Sequence, residues 1–291
     1  MIIVFAKLWE LTKQSNAINL ICAEFFYGFK DYKKSTIFYN KYLDKNIRNP
    51  YVLLRLGNCC YYSKKYDDAV FFYENSRLYD NHKFETISNL ALSYYFLEKY
   101  EKCFDLFKLS LDIKEDNIQA YMMLGICSEK LGNYNKAIKY YEKYLETHNN
   151  DIDCLYSLAR SYENLDRFQE SINLYQKIIG INQNINYIWK NIASIQIKIK
   201  DFENAILSYI FYLEKNFNDF EAWNSLANCY ENINDLDNAI LSYKKALSIN
   251  ESKAEIWDKL SVLHEKIDEK DKSVRFKKIS DSLKNSSNYL T

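Results

Sequence analysis

The side chains of this 291-residue chain best suited to chemistry are a recurring set of glutamates, three histidines and seven cysteines. Two carboxylates can share general acid–base work only where they face each other across a pocket with other convergent polar groups. Glu163, Glu231 and Glu265 instead recur at multiples of 34 residues, which lines them up as solvated side chains along one edge of a repetitive structure. His82, His148 and His264 stand far apart, with no cysteine or carboxylate at a repeated catalytic spacing. The cysteines (Cys22, Cys59, Cys60, Cys103, Cys127, Cys154 and Cys229) are odd in number and include no CxxC pair. That argues against a disulfide framework and a zinc site, and for a reducing cytoplasm. Vicinal Cys59 and Cys60 could form a redox switch, but Cys59, Cys127 and Cys229 share one column of the periodicity, as small core residues would. These residues predict no catalytic site, no metal and no cofactor.

Composition points to helices. Nearly half the chain is hydrophobic (48%), yet it contains only 5 Gly and 1 Pro, too few turn formers for an all-β protein. The 39 basic and 39 acidic residues cancel, so no overall field favours a nucleic acid or an anionic membrane as partner. The start, MIIVFAKLWEL, makes a poor signal peptide, because no basic run precedes its apolar stretch and Lys7 interrupts it. No window approaches the long uncharged run of a membrane helix.

The elements that position these side chains follow from a repeat. Trp189, Trp223 and Trp257 are spaced 34 residues apart, and stepping back by the same interval gives Leu155, Tyr121, Ile87 and Leu53, all large and apolar, then Asn19. The column through Ala227 is small throughout: Ala23, Gly57, Ala91, Gly125, Ala159, Ala193, Ala227, Ser261. So is the column through Ala239: Ser35, Ala69, Cys103, Ala137, Ser171, Ala205, Ala239, Ser273. The Tyr243 column is Tyr or Phe until Lys277 replaces it. Trp223, Leu226, Ala227 and Tyr230 form one stripe of a first helix, and Ala239, Ile240, Tyr243, Ala246 and Leu247 one stripe of a second. The small residues let the two helices approach, and the large ones fill the space around that contact. Each unit is then a helical hairpin whose apolar faces only its neighbours can cover.

This pattern resembles the tetratricopeptide repeat family, whose 34-residue helix–turn–helix unit has the same large–Leu–small–Tyr, small–aromatic–small order. The resemblance implies an all-α, right-handed superhelical solenoid. It covers eight units without an insertion: 16–49, 50–83, 84–117, 118–151, 152–185, 186–219, 220–253 and 254–287. Residues 1–15 read as an N-terminal half unit or cap, and 288–291 as a tail. The family's Pro near the end of each unit is missing, with Asn149, Gln183, Phe217 and Glu251 in its place, and its turn Gly survives only as Gly132. The alternating SIQIKIK of unit six is read as helix because the frame demands it. In the last unit Lys270, Lys277 and Asp281 give the second helix the polar outer face that a terminal repeat needs.

In this family the first helices line a concave groove that takes protein ligands, and the resemblance therefore implies a non-catalytic adaptor. The groove columns change along the chain: Tyr27, Tyr61 and Tyr95 give way to Glu129, Glu163, Ile197, Glu231 and Glu265, while Tyr62 and Phe96 give way to Lys130. Tyr27, Asn58, Tyr61, Tyr62, Leu92, Tyr95 and Phe96 are the candidate partner-binding residues, the rings as anchors and Asn58 as a hydrogen-bonding group for a peptide backbone. The acidic second half, meeting a basic segment, is a lesser candidate. The carboxylate clamp of co-chaperone members is disfavoured. Asn58 and Asn89 match it, but Leu54, Gln119 and Met123 stand where its cations belong. The alternative is self-assembly into a homo-oligomer through the apolar residues 1–15 and an exposed Ile210–Phe211 pair, unless that pair tucks under Phe217.

Overall fold

The structure is a computed structural model and describes residues 16–43, 49–80 and 84–288. The half unit expected over 1–15 lies outside the described residues, as does the expected tail apart from Asn288. The described residues form sixteen helices and no strand. In order, these are α1 (Asn16–Gly28), α2 (Tyr32–Leu43), α3 (Pro50–Tyr62), α4 (Tyr66–Tyr79), α5 (Phe84–Phe96), α6 (Tyr100–Ile113), α7 (Ile118–Lys130) and α8 (Tyr134–Leu145). They continue as α9 (Ile152–Glu163), α10 (Phe168–Ile181), α11 (Tyr187–Lys198), α12 (Phe202–Leu213), α13 (Phe220–Asn232), α14 (Leu236–Ile249), α15 (Ala254–Lys266) and α16 (Lys270–Asn288). Ser194–Lys198 of SIQIKIK end α11 as helix and Ile199–Lys200 form the turn, so burial of the 34-residue frame overrides the local alternation.

Every hairpin turns in the same way. The residue at its tip adopts the left-handed conformation at Lys30, Lys64, Glu98, Gly132, Asp166, Lys200, Asn234 and Asp268, again 34 residues apart. Its N–H donates to the carbonyl three residues back, and the next N–H to the carbonyl five back. Lys64 to Tyr61 and Lys65 to Cys60, both 2.9 Å, are one instance. These two bonds satisfy carbonyls that the ending helix leaves open. Seven of the eight tips carry a side chain where glycine would be free of strain. The turn is therefore dictated by packing and hydrogen bonds rather than by glycine. Elsewhere side-chain caps help: Asn49 caps α3, accepting from Tyr51 N at 3.1 Å, and Asp219 caps α13, accepting from Ala222 N at 3.0 Å. The single proline, Pro50, sits in the first turn of α3, where a missing N–H costs nothing.

Inside each hairpin a ring of the second helix lies against a small residue of the first. A methyl group placed on Gly57 would stand 2.4 Å from the Tyr73 ring, and one on Gly125 2.5 Å from the Tyr141 ring. Tyr39, Tyr73, Tyr141, Tyr175 and Tyr243 are among the largest fully buried side chains. Their hydroxyls need acceptors, and four of them find one on the first helix of their own hairpin. Tyr39 donates to Glu24 (2.6 Å), Tyr73 to Asn58 Oδ1 (2.7 Å), Tyr141 to Glu129 (2.9 Å) and Tyr243 to Asn228 (2.8 Å). In unit three the ring is Phe107, which has no hydroxyl, and the residue matching Glu24, Asn58 and Asn228 is Leu92.

The core is a succession of clusters, each shared by neighbouring hairpins. One joins Cys22, Ala23 and Tyr39 to Val52, Leu56 and Cys59; another runs from Leu54 and Tyr73 through Leu90 and Phe107 to Leu124 and Cys127. Further along, Ala193 and Tyr209 pack with Leu226 and Cys229, and Ala227 and Tyr243 with Leu260 and Leu263. All seven cysteines are buried, as core residues. The chain divides into two compact units, residues 1–157 and 158–291.

The last hairpin replaces the buried tyrosine with a cation. Lys277 reaches Asp258 at 3.0 Å, and Lys284 pairs with the same carboxylate. Partial desolvation opposes the Asp258 charge, but hydrogen bonds from Lys284 and Lys277 outweigh it and lower the pKa to about 2.

Four outcomes follow from these contacts. Gly57→Ala should gain about 1 kcal/mol of helix propensity but lose about 1–3 kcal/mol to overpacking on Tyr73, for a net fall in the urea midpoint. Gly180→Ala, which meets nothing within 4 Å, should raise that midpoint. Lys200→Gly, at a tip with φ 61°, should stabilise by about 0.5–1 kcal/mol in the same measurement. Because the Asp258 pKa is depressed when folded, its ion pairs contribute fully above the unfolded value of about 3.9 and are lost as pH falls toward 2. Asp258→Asn should accordingly be less stable than the native chain at pH 7 and equal to it near pH 2, by circular dichroism melts.

Candidate functional site

Three hairpin tips in the first compact unit carry aromatic residues on both sides of the turn. Each first helix ends in Tyr27, Tyr61–Tyr62 or Tyr95–Phe96, and each second helix begins with Tyr32, Tyr66 or Tyr100. The rings touch in sequence. Tyr27 meets Tyr32 edge-on at 5.8 Å, and Tyr32 stacks on Tyr62 at 5.0 Å. Tyr62 meets Tyr61 at 5.5 Å, and Tyr61 meets Phe96 at 5.8 Å. Phe96 stacks on Tyr66 at 4.7 Å and meets Tyr95 at 5.4 Å; Tyr95 then meets Tyr100 at 6.0 Å. Eight rings thus form one strip across three hairpins, with edge-to-face and stacked geometries that favour aromatic contact.

Five of the seven sequence-predicted residues belong to this strip. Tyr61 and Tyr95 pack against the core, whereas Tyr62 and Phe96 are 56% and 46% exposed. Leu92 lies one turn back on α5, partly buried against the core. Asn58 is 4% exposed. Its oxygen accepts from Tyr73 (2.7 Å) and Asn89 (2.9 Å), while its nitrogen donates to the Tyr27 hydroxyl (3.2 Å) and reaches Glu85 at 3.5 Å. All four hydrogen-bonding capacities of the amide are engaged within the chain. Asn58 therefore anchors Tyr27 rather than offering a free amide to a peptide.

Sequence reasoning missed Tyr32, Tyr66 and Tyr100, although they form a 34-residue column of their own. It also missed Arg55. Its guanidinium lies 4.5 Å from the Tyr27 ring and 5.1 Å from the Tyr51 ring, and its Nε donates to the Tyr51 hydroxyl at 3.0 Å. Glu24, 3.6 Å away, balances its charge. Burial raises the phenol pKa of Tyr27, Tyr32, Tyr61, Tyr95 and Tyr100, so these groups are neutral donors at physiological pH.

Several charged side chains of the second compact unit are engaged with one another. Glu163 pairs with Lys198 of the next hairpin at 2.7 Å. Glu231 accepts from Tyr243 at 3.2 Å and lies 3.9 Å from Lys259, whose ammonium also donates to Asn228 and to Tyr243. Lys190 pairs with Asp219 at 2.6 Å, beside the Tyr212 hydroxyl. These groups bind hairpin to hairpin and do not converge as a pair of carboxylates. Among the described residues no His, Cys, Asp and Glu group could hold a metal ion, and no helix is long and apolar enough to cross a membrane.

Comparison with known proteins follows the same lines. The tetratricopeptide repeat models match residues 129–195 and 220–253, the second span being the seventh unit read above. A model described as anaphase-promoting complex, cyclosome, subunit 3 matches residues 63–144. No curated protein sequence matches the chain significantly. Among solved structures, the C-terminal part of a TPR repeat-containing protein from Cytophaga hutchinsonii is 20% identical with a TM-score of 0.70, over 81% of this chain and 97% of that one. A tetratricopeptide repeat protein from Parabacteroides merdae is 18% identical with a TM-score of 0.58, over 86% of this chain and 99% of that one. A structure of Naa15/Naa10 bound to HypK-THB is similar over 86% of this chain and 39% of that one, at 12% identity and a TM-score of 0.60. These likenesses carry the fold, and the 34-residue frame, the repeated tips and two matched repeat models carry the family. The chain is a tetratricopeptide repeat protein.

Proposed function

We propose that the chain is a non-catalytic adaptor that captures a segment of a partner protein along the aromatic strip of its first three hairpins. The tetratricopeptide fold is in general a scaffold for protein interaction, and a similar solved structure is itself a complex of several proteins. The observation that carries the finer reading is the exposure of Tyr62 and Phe96 within a continuous run of eight rings. Contiguous exposed aromatic surface marks interaction sites, because burying it against a partner releases water from a large apolar area. The charged half is the weaker site, since Glu163 and Glu231 already hold a lysine or a tyrosine. The Ile210–Phe211 pair of the assembly reading is exposed as expected, at 38% and 46%, with Phe211 against Trp189 at 4.9 Å.

Affinity capture from a lysate of the source organism tests this reading. The native chain should retain a partner that a Tyr62→Glu/Phe96→Glu variant retains at least tenfold less, with unchanged circular dichroism. These two positions are preferred to Tyr61 and Tyr95, whose rings also support the core. Equal retention by both proteins would move the site elsewhere. Self-association alone, surviving the substitutions, would replace the adaptor reading by an assembly one.

A further inference from the structure

We propose that Cys103 and Cys127 form a reversible redox pair whose disulfide ties the third hairpin to the fourth. This goes beyond the adaptor reading and does not depend on it. Cys103 lies on α6 and Cys127 on α7, and their sulfurs stand 3.0 Å apart. A disulfide needs them at about 2.05 Å, an approach of about 1 Å.

The repeat explains why these two meet. Cys103 belongs to the small column of the second helices, and Cys127 to the first-helix column of Cys59 and Cys229. Members of the two columns share one core cluster at Cys103–Cys127, at Ala205–Cys229 and at Ala239–Leu263. In the first two hairpins the corresponding sulfur of Cys59 and hydroxyl of Ser35 are 3.5 Å apart. The close approach therefore belongs to the fold, and Cys103–Cys127 is the one place in the sequence where it joins two cysteines. The vicinal pair is placed differently. Cys59 packs with Cys22 and Tyr39, whereas Cys60 packs with Leu54 and Tyr73.

As a dithiol the pair is inert in the folded chain. Both residues are fully buried, and the hydrogen bond from Cys127 together with burial pushes the Cys103 thiol up, away from the reactive thiolate. An oxidant therefore reaches the pair only while the boundary between the two hairpins is open. With glutathione disulfide as the oxidant, one cysteine thiolate displaces a glutathione thiolate and leaves a mixed disulfide. The second cysteine thiolate then displaces the other glutathione. Two cysteine thiols are oxidised, one glutathione disulfide is reduced to two thiols, and the two protons pass to them. Glutathione thiolate reverses both steps when the boundary opens again. Solenoid stability is a sum over neighbouring interfaces. A covalent tie across this one holds the aromatic hairpins to the rest of the first compact unit.

The experiment refolds the full chain from urea at graded ratios of glutathione disulfide to glutathione. Free thiols are then blocked with iodoacetamide under denaturing conditions, and the intact mass and peptide map are measured. The native chain should lose two of its seven alkylation sites, with Cys103 and Cys127 in one cross-linked peptide. That loss should need at least tenfold less glutathione disulfide than in the same chain held in urea. The oxidised chain should melt about 5–10 °C above the reduced one by circular dichroism. Cys103→Ala, which restores the residue found at Ala69 and Ala137, should keep every remaining site open to alkylation and show no such rise. If that variant fails to fold, Cys127→Ser, the residue at Ser93 and Ser161, gives the same readout. Cys59→Ala should retain the cross-link. Seven alkylated thiols at every ratio, a cross-link joining any other pair, or an oxidised chain that melts below the reduced one overturns the proposal.

Discussion

The closest constraint in this fold is the contact between a small residue of one helix and a buried ring of the next. Where the Tyr73 ring lies under Gly57 there is no room for a methyl group. The approach fixes the separation of the two helices, and with it the only tip that can join them. That is why eight turns share one backbone conformation although seven lack glycine. Strain of about 1 kcal/mol or more at each of these seven tips is tolerated because hydrogen bonds and burial on both sides determine the geometry.

The same rings explain the polarity of the first-helix face. A buried tyrosine hydroxyl left without an acceptor would be costly, and the acceptors are supplied by side chains that would otherwise be available to a ligand. Glu24, Asn58, Glu129, Asn228 and Glu231 all serve a core hydroxyl. Where the ring is Phe107 no acceptor is needed, and Leu92 stands in that place. Residues that look like recognition groups in a list of columns are thus partly structural, holding the second helix in register with the first.

Much of this was legible in the sequence because each feature recurs. The 34-residue spacing of tryptophans, small residues and aromatics fixes hairpins, core and register, and it correctly overrode the strand-like SIQIKIK. The aromatic columns of the first three units also foretold five strip rings. What the columns could not reveal is which groups meet. Asn58 reads as an open amide until Tyr73, reaching across from α4, is seen to occupy it. Nothing in its column marks Arg55, and only the structure shows Tyr27, Tyr51 and Glu24 around it. Tyr32, Tyr66 and Tyr100 read as helix starts, because only the turn brings them against the rings of the first helix. Pairings between elements depend on side-chain reach, which a single column does not encode.

The contrast between the two halves of the first-helix face follows from how each is held together. In the second compact unit, long charged side chains bridge hairpin to hairpin, as Lys198 does to Glu163, so binding a charged ligand there would first break an internal pair. In the first unit, rings bridge hairpins by stacking, and a ring has two faces. Tyr62 rests one face against Tyr32 and Phe96 rests one against Tyr66, yet about half of each remains in water. A salt bridge is largely satisfied once formed, whereas a stacked pair still has apolar surface to bury. That difference in residual apolar surface is the physical basis on which the aromatic strip is proposed as the partner site.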